Sequence, residues 1–439
     1  MKKIIRYSLF IGLVCIFSSC LREEKDLFPE SAALRLNHAI DNVKQLLIDQ
    51  SNNNGWIMEY FPTNGTEGYT FLMSFSSNTF VTIAAKNKYT SVYTTDESSF
   101  DVLGDAGPVL TFDTYNSVFH LFSNPVDPQG GNTGIGLGGD YEFIVMNIAS
   151  DNVITLKGKK RGTTIVMRPL AQGQDWKAYF DSLDNMDATV FNPKLPITLT
   201  LKGGNAADSL YYLTNGASHI FTAKTQKAID AGDPGTNIPF IITDYGLRFA
   251  QPVAMGEDSV QTFKLSDDKS KLVCIDKDVQ AEIFGEDLSS LFLNAQTVLW
   301  AFVPSSLSDR MASVYNRIVN SCIDVYQAES VTMGIGYSIA RRSFELRLLF
   351  VRNAGKQTLT GNLSLSASTS GNSNDISFQA TGTGDNNGIT FSTRIDGYQE
   401  MADLISQRFL LSTDVAINPA NMKFIQVDGN EVWFLTNCQ

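Results

Sequence analysis

From Trp56 to Leu170 the chain is a series of short runs rich in aromatic and β-branched residues, each bounded by a turn signal. That spacing predicts consecutive antiparallel strands. The clearest pair places Ile154 and Leu156 on one face, with Ile165 and Met167 on the same face of the return strand and Lys160-Arg161-Gly162 at the turn. Further strands are expected at Trp56 to Phe61, Tyr69 to Phe75, Thr79 to Ala85, Ser98 to Leu103, Val109 to Phe112, Val118 to Phe122 and Tyr141 to Ile148. A meander of about eight strands removes its edges by closing, and the interior is then filled by side chains or by one small ligand. The expectation is a lipocalin-like barrel, with the Gly-, Pro- and Asn-rich link Asn124 to Gly139 over its mouth.

Leu36, Ile40, Val43 and Leu47 precede the barrel at helical spacing and predict an amphipathic helix from about Ser31 to Gln50. Trp176, Tyr179, Phe180 and Leu183 predict a second helix capped by Asp175, followed by a linker over Asn185 to Pro196. Strands resume at Ile197 to Leu201, Leu210 to Leu213, His219 to Ala223, Phe240 to Thr243 and Thr262 to Leu265. A helix is expected over Leu307 to Val325 after the strand Val298 to Val303. Alternation then runs through Phe344 to Phe350, Leu359 to Leu365, Ile376 with Phe378, and Ile389 with Phe391. A short helix from Tyr398 to Phe409 and a hairpin turning at Asp428-Gly429 finish the chain. The class is mainly β (α+β): a helix and barrel over residues 30–188, then a second mostly antiparallel β domain over 189–439 with helices near 307–325 and 398–409.

The 439 residues are 43% apolar and 18% charged, which suits two or three cored domains and excludes a disordered chain. The formal charge of −12 becomes −15 when residues 1–19, with three positive charges and no negative one, are removed. Such a surface has no general attraction for phosphate backbones, so nucleic acid is not an expected partner. Cys274, Cys322 and Cys438 lack metal or redox spacing, and Cys322 continues the helical apolar face of Met311, Val314 and Ile318. Pairing of Cys322 with either of the others is left open.

Lys2, Lys3 and Arg6, the apolar run Leu9 to Phe17, then Ser18, Ser19 and Cys20 have the order of a signal peptide over residues 1–19. The apolar run is too short for a hydrocarbon core needing ~20 helical residues. Phe17-Ser18-Ser19-Cys20 resembles the bacterial lipobox, which implies lipid on Cys20. Two or three acyl chains hold a soluble domain durably on a bilayer. Residues 20–29 then form a charged tether, in which Arg22-Glu23-Glu24 resembles the export signal of Bacteroidetes surface lipoproteins. Glu23 and Glu24 thereby imply an outer-membrane protein facing the cell exterior.

Catalytic signatures are absent. Gly134 to Gly139 matches GxGxxG, but a dinucleotide site needs a strand before the glycines and a helix after them. Ser150-Asp151-Asn152 and Ser266-Asp267-Asp268-Lys269 resemble penicillin-interacting motifs, yet they stand in reverse order without Lys-Thr-Gly and are read as turns. His38, His120 and His219 have no second ligand at helical spacing, so no metal or other cofactor is expected. Two carboxylates suffice for a glycosidase, but sequence spacing does not reveal spatial pairs across a β-fold. Two contact surfaces remain: the basic hairpin tip Lys157 to Arg161, read first as a solvated strand end, and Trp56, Tyr60, Phe61, Tyr89 and Tyr93, read first as core.

The segments Gly55 to Pro62, Gly107 to Asn116, Gly139 to Phe143 and Leu156 to Gly162 together resemble a family of uncharacterised Bacteroidetes surface lipoproteins with a domain of unknown function. The resemblance is strongest over residues 30–170. It implies an outer-membrane nutrient-uptake setting, with transporter components as partners, and carries no site residues. The leading expectation is a non-enzymatic surface protein that captures or presents a glycan or peptide. A barrel carrying a small apolar molecule and a hydrolase of glycan or peptide are the alternatives.

Overall fold

The computed structural model describes residues 30–90, 92–130, 134–191, 198–203, 210–215, 218–370, 374–429 and 431–439. Its strands form three closed, antiparallel eight-stranded barrels, each in sequential order. Barrel 1 comprises β1 (Trp56–Tyr60), β2 (Tyr69–Phe75), β3 (Phe80–Ala85), β4 (Thr94–Gly104), β5 (Pro108–Phe112), β6 (Glu142–Ile148), β7 (Ile154–Gly158) and β8 (Thr164–Pro169), with β8 returning to β1. Barrel 2 comprises β9 (Thr198–Gly203), β10 (Leu210–Asn215), β11 (Ile220–Lys224), β12 (Thr236–Thr243), β13 (Gly246–Met255), β14 (Asp258–Leu265), β15 (Lys271–Cys274) and β16 (Ala281–Phe284). Barrel 3 comprises β17 (Leu299–Leu307), β18 (Ser330–Ser338), β19 (Ser343–Arg352), β20 (Gln357–Ser368), β21 (Asp375–Gly384), β22 (Arg408–Ser412), β23 (Asn421–Gln426) and β24 (Trp433–Cys438).

The region expected to form one domain over 189–439 therefore contains two barrels. Eight strands exhaust the edges of a small barrel, so a chain that continues must begin a new sheet. The break between barrels 2 and 3 is occupied by the short helix α4 (Leu288–Asn294) rather than a Gly- or Pro-rich linker, so composition does not mark it. Among the described residues the remaining α-helices are α1 (Ala32–Asn53), α2 (Trp176–Val190), α3 (Gln226–Asp230), α5 (Asp309–Tyr326), α6 (Asn386–Arg394) and α7 (Tyr398–Ile405).

Each barrel interior is packed with side chains. In barrel 1 the β7–β8 register is Ile154↔Met167 and Leu156↔Ile165, as the alternation required. Helix α1 buries Val43 and Leu47 in the barrel core, and the Trp56 indole donates to the Leu47 carbonyl at 3.0 Å. At the opposite strand ends Phe119 and Phe122 join Tyr60, Phe71 and Phe143 in an aromatic cluster, with Leu137 of the long link packed against it. Barrel 2 receives Val190 from α2 and Ile417 from the β22–β23 loop into its core, with the Ile417 amide donating to the Lys269 carbonyl at 3.1 Å. In barrel 3 Phe292 of α4 packs on Trp300, Phe344 and Phe424.

Several local expectations are corrected. Val118 to Phe122 is not a strand: the Asn116 side chain accepts from the Val118 and Phe119 amides, both at 3.1 Å, and the chain turns into a 3₁₀ helix over His120–Phe122. Ile389 and Phe391 lie in α6, whose N-cap Asp385 accepts from the Gly388 amide. The helix from Tyr398 ends at Ile405, because β22 begins at Arg408. Residues 185–190 extend α2, and strands β13, β15, β16, β18 and β22 were not anticipated.

Candidate functional site: the joint between barrels 1 and 2

The β1–β2 loop, Phe61 to Gly68, leaves barrel 1 and docks on barrel 2. Phe61 packs with Ile241 and Ala250, and the Gly68 amide donates to the Phe240 carbonyl at 3.1 Å. A Cβ on Gly68 would stand 2.6 Å from that of Ile241, so this approach requires glycine. Outward-facing Glu59 of β1 binds Arg168 of β8 at 3.1 Å and Arg248 of β13, linking the two barrel walls. Arg168 also donates to the Tyr179 hydroxyl at 2.8 Å and to Asp244. Burial opposes ionisation of Glu59, but the two guanidinium charges and their hydrogen bonds outweigh it and hold its carboxyl below the usual range.

Beside this bridge lies a cleft of about 190 Å³ lined by Glu67, Tyr69, Lys86, Lys88, Asp184, Asp187 and His219, among others. Glu67 accepts from the Tyr69 hydroxyl at 2.9 Å and pairs with Lys88. The His219 ring stands between two carboxylates, with Nε2 at 2.9 Å from Asp187 and Nδ1 at 3.7 Å from Glu67. Glu67 is also shifted down: burial works against its charge, and the bonds from Lys88 and Tyr69 with the Lys88 and His219 charges prevail. Lys88 is correspondingly shifted up, its Glu67 contact overcoming burial. Lys86 pairs with Asp181 at 2.8 Å and Asp184 at 2.5 Å. On the other side of Glu67, Tyr69 and Lys88 a second cleft, of about 220 Å³, is lined by Pro62, Thr66, Tyr89, Phe122 and Ser218. A third, of about 400 Å³, meets the same loop at Asn64 and Gly65.

The residues singled out from sequence are dispersed. Cys20, Glu23 and Glu24 lie outside the described residues. His38 is exposed, 3.4 Å from Glu30. His120 accepts from the Asn116 amide and lies between Tyr115 and Tyr141, and burial lowers its pKa. Of the three histidines, His219 alone reaches the joint. In the basic hairpin Lys159 meets Asp105 at 3.3 Å and Glu142 at 3.7 Å, while Asp140 accepts from the Arg161 amide. Trp56 and Tyr60 are core residues of barrel 1, Phe61 is buried in the joint against Ile241 and Ala250, and Tyr89 packs against the barrel 1 core and lines the second cleft. Tyr93 packs with Phe180 of α2 on the outside of barrel 1. The glycine motif is a loop entering β6 with no helix after it. Cys274 and Cys322 are free, buried thiols, and Cys438 is buried in barrel 3. Among the described residues no group of three His, Cys, Asp or Glu side chains is placed to hold a metal ion. Glu59, Glu67, Lys88, Arg168, Asp187 and Arg248 carry no motif, and only the fold assembles them.

These features define a mainly β, triple-barrel protein with a cleft-bordered joint between its first two barrels. The chain belongs to the family described as a domain of unknown function (DUF4302), whose profile matches residues 24–267 and so spans barrel 1 and most of barrel 2. No curated protein matches it. Solved structures that align include a C. crescentus beta sliding clamp, at 8% identity over 92% of this chain and 96% of that chain with a TM-score of 0.15. A Bartonella birtlesii DnaN sliding clamp (DNA polymerase III subunit beta) aligns at 10% identity over 92% and 97%, and an H. pylori beta clamp at 9% over the same shares, both with a TM-score of 0.13. Overlays at these scores do not establish a shared fold, and nothing about this chain follows from them.

Proposed function

We propose that the chain is a lipid-anchored protein of the bacterial outer membrane, held by Cys20 and displayed outward through Glu23 and Glu24, that serves a nutrient-uptake system by binding a ligand without transforming it. The observation that carries the binding reading is the grouping of three clefts around one loop, Phe61 to Gly68, at a joint between two barrels. Small-molecule sites concentrate at such domain junctions. The packed barrel interiors favour this joint over a carrier cavity inside a barrel. Among the described residues no helix is long and apolar enough to cross a membrane, and a lipid anchor needs none.

The binding test is a titration of the purified mature chain against glycan and peptide panels, with hydrogen exchange read on residues 61–68. Ligand-dependent protection of that loop is expected, and a panel without a single binder overturns the reading. Anchoring is tested with Cys20→Ala, which is expected to release the protein from membranes. Protease added to intact cells is expected to cut the native form, and resistance until lysis would disprove outward display.

A second reading, hydrolysis, is favoured by one observation: His219 sits between Glu67 and Asp187. Glu67 is kept ionised by Lys88 and so is not the proton donor that glycoside cleavage requires. Product release from glycans or peptides, lost in His219→Ala, would establish this reading over the first.

A further inference from the structure

The third cleft is a parted seam in the wall of barrel 2. The β12–β13 ladder runs from Thr243↔Gly246 to Phe240↔Phe249 and stops there, although both strands continue. Carrying the register on would set Pro239 opposite Ala250 and Asn237 opposite Pro252. Each of those pairs contains a proline, which has no N–H to donate, so the ladder would lose one of its two bonds at each of two consecutive hydrogen-bonding positions. On its other edge β13 is displaced from β14 by a bulge, the register jumping from Arg248↔Thr262 to Val253↔Val260. The segment Ala250 to Pro252 is thus outside both ladders, and the seam opens into a slot of about 400 Å³. Asn64 and Gly65 of barrel 1 form its rim.

The chemistry of the lining selects a ligand. Among the described residues, none of those lining the slot is charged, although the chain carries a net charge of −12. One wall is apolar, from Tyr211, Ile238 and Val253, and the Tyr211 hydroxyl reaches the Ala254 carbonyl at 3.4 Å. The rim carries three carboxamides, Asn64, Asn237 and Gln251, all solvent-exposed. Prolines leave a strand edge richer in carbonyl acceptors than in N–H donors, which penalises a peptide strand and favours a ligand rich in O–H donors. Carboxamides both donate to and accept from neighbouring hydroxyls. The volume falls within the ~300–1,000 Å³ of small-molecule sites.

We infer that the slot between β12 and β13 binds a neutral saccharide, its C–H face against Tyr211, Ile238 and Val253 and its hydroxyls on Asn64, Asn237 and Gln251. This rests on the binding reading above and names the ligand class and the place.

The test titrates the mature chain with neutral di- to tetrasaccharides of glucose, galactose, mannose and xylose, alongside uronic-acid sugars and neutral peptides, by calorimetry and saturation-transfer NMR. Neutral sugars are expected to bind, with Asn237→Ala and Gln251→Ala each weakening them about tenfold, equivalent to ~1.4 kcal/mol. Ala254→Trp, which fills the slot from an exposed position, is expected to abolish binding, and near-UV circular dichroism verifies that the variants fold. Sugar binding that is insensitive to these changes but lost in Lys88→Met overturns the slot and leaves the joint as the binding region. Peptides binding in place of sugars, and blocked by Ala254→Trp, overturns the saccharide and keeps the slot. No binder of any class overturns both this inference and the reading beneath it.

Discussion

Glu59 and Arg248 are 189 residues apart in the chain and form a buried ion pair across the walls of two barrels. Removing one member of such a pair leaves the other charge uncompensated, at a cost of ~3–5 kcal/mol. Glu59→Gln is expected to lose that much in urea denaturation. Glu59→Leu combined with Arg248→Met should recover most of it, because Arg168 retains Asp244. A single variant within ~0.5 kcal/mol of the parent would show that the pair does not hold the barrels together.

The same pair sets an acid limit. The folded-state pKa of Glu59 lies below its unfolded value, so its contribution is complete above the ordinary carboxylate value of ~4.3 and is lost as pH falls through the lowered one. Denaturation curves recorded at falling pH should therefore converge for the parent and Glu59→Gln. A difference that stays constant through the acid range would contradict this assignment.

Gly68→Ala tests the contact between the barrels without touching a charge. The added methyl group meets the Ile241 side chain at 2.6 Å, and overpacking of this kind costs ~1–3 kcal/mol. Hydrogen exchange should quicken at Gly68 and along β12 while β19 and β20 remain protected. Equal exchange in both proteins would mean that the loop is not clamped there.

Burial raises the thiol pKa of Cys322 to about 12 and that of Cys274 to about 11. A thiol is reactive as its thiolate. Iodoacetamide at neutral pH should therefore leave both residues unmodified in the native chain and label them in denaturant. Rapid native labelling of either would place it outside the core.

Ile417 is 1% exposed and belongs to barrel 3 in sequence, yet its side chain completes the core of barrel 2. Ile417→Ala should cost ~2–5 kcal/mol. The loss should appear as faster exchange in barrel 2 strands, and a loss confined to barrel 3 would refute the assignment.

Legibility in the sequence followed the range of the interaction. The β7–β8 hairpin was readable because alternation and a turn within fifteen residues fix its register. Helix α2 was readable from its Asp175 cap and apolar stripe. Alternation misled at Val118 to Phe122 and at Ile389 with Phe391, where short stretches fit strand and helix equally and the deciding signals were the side chains of Asn116 and Asp385. Trp56 and Tyr60 are core, as their place in a strand suggested, whereas Phe61 is buried against Ile241 and Ala250 of the second barrel, which its own strand did not announce. The joint itself was illegible, since Glu59, Arg168 and Arg248 meet only after two barrels close. The seam had a local trace, Pro239 and Pro252, but its meaning depends on knowing that β12 and β13 are neighbours.

The insertion of Ile417 also orders events during synthesis. Every strand pairing of barrel 1 lies between residues 56 and 169, so that barrel can close as soon as Pro169 is available. Barrel 2 has its eight strands by Phe284, but the residue that completes its core is not translated until most of barrel 3 has been made. A growing chain therefore has all the strands of its middle barrel before it has the whole of that barrel's core. Until Ile417 is made, the closed wall of barrel 2 surrounds a core that lacks one of its buried side chains.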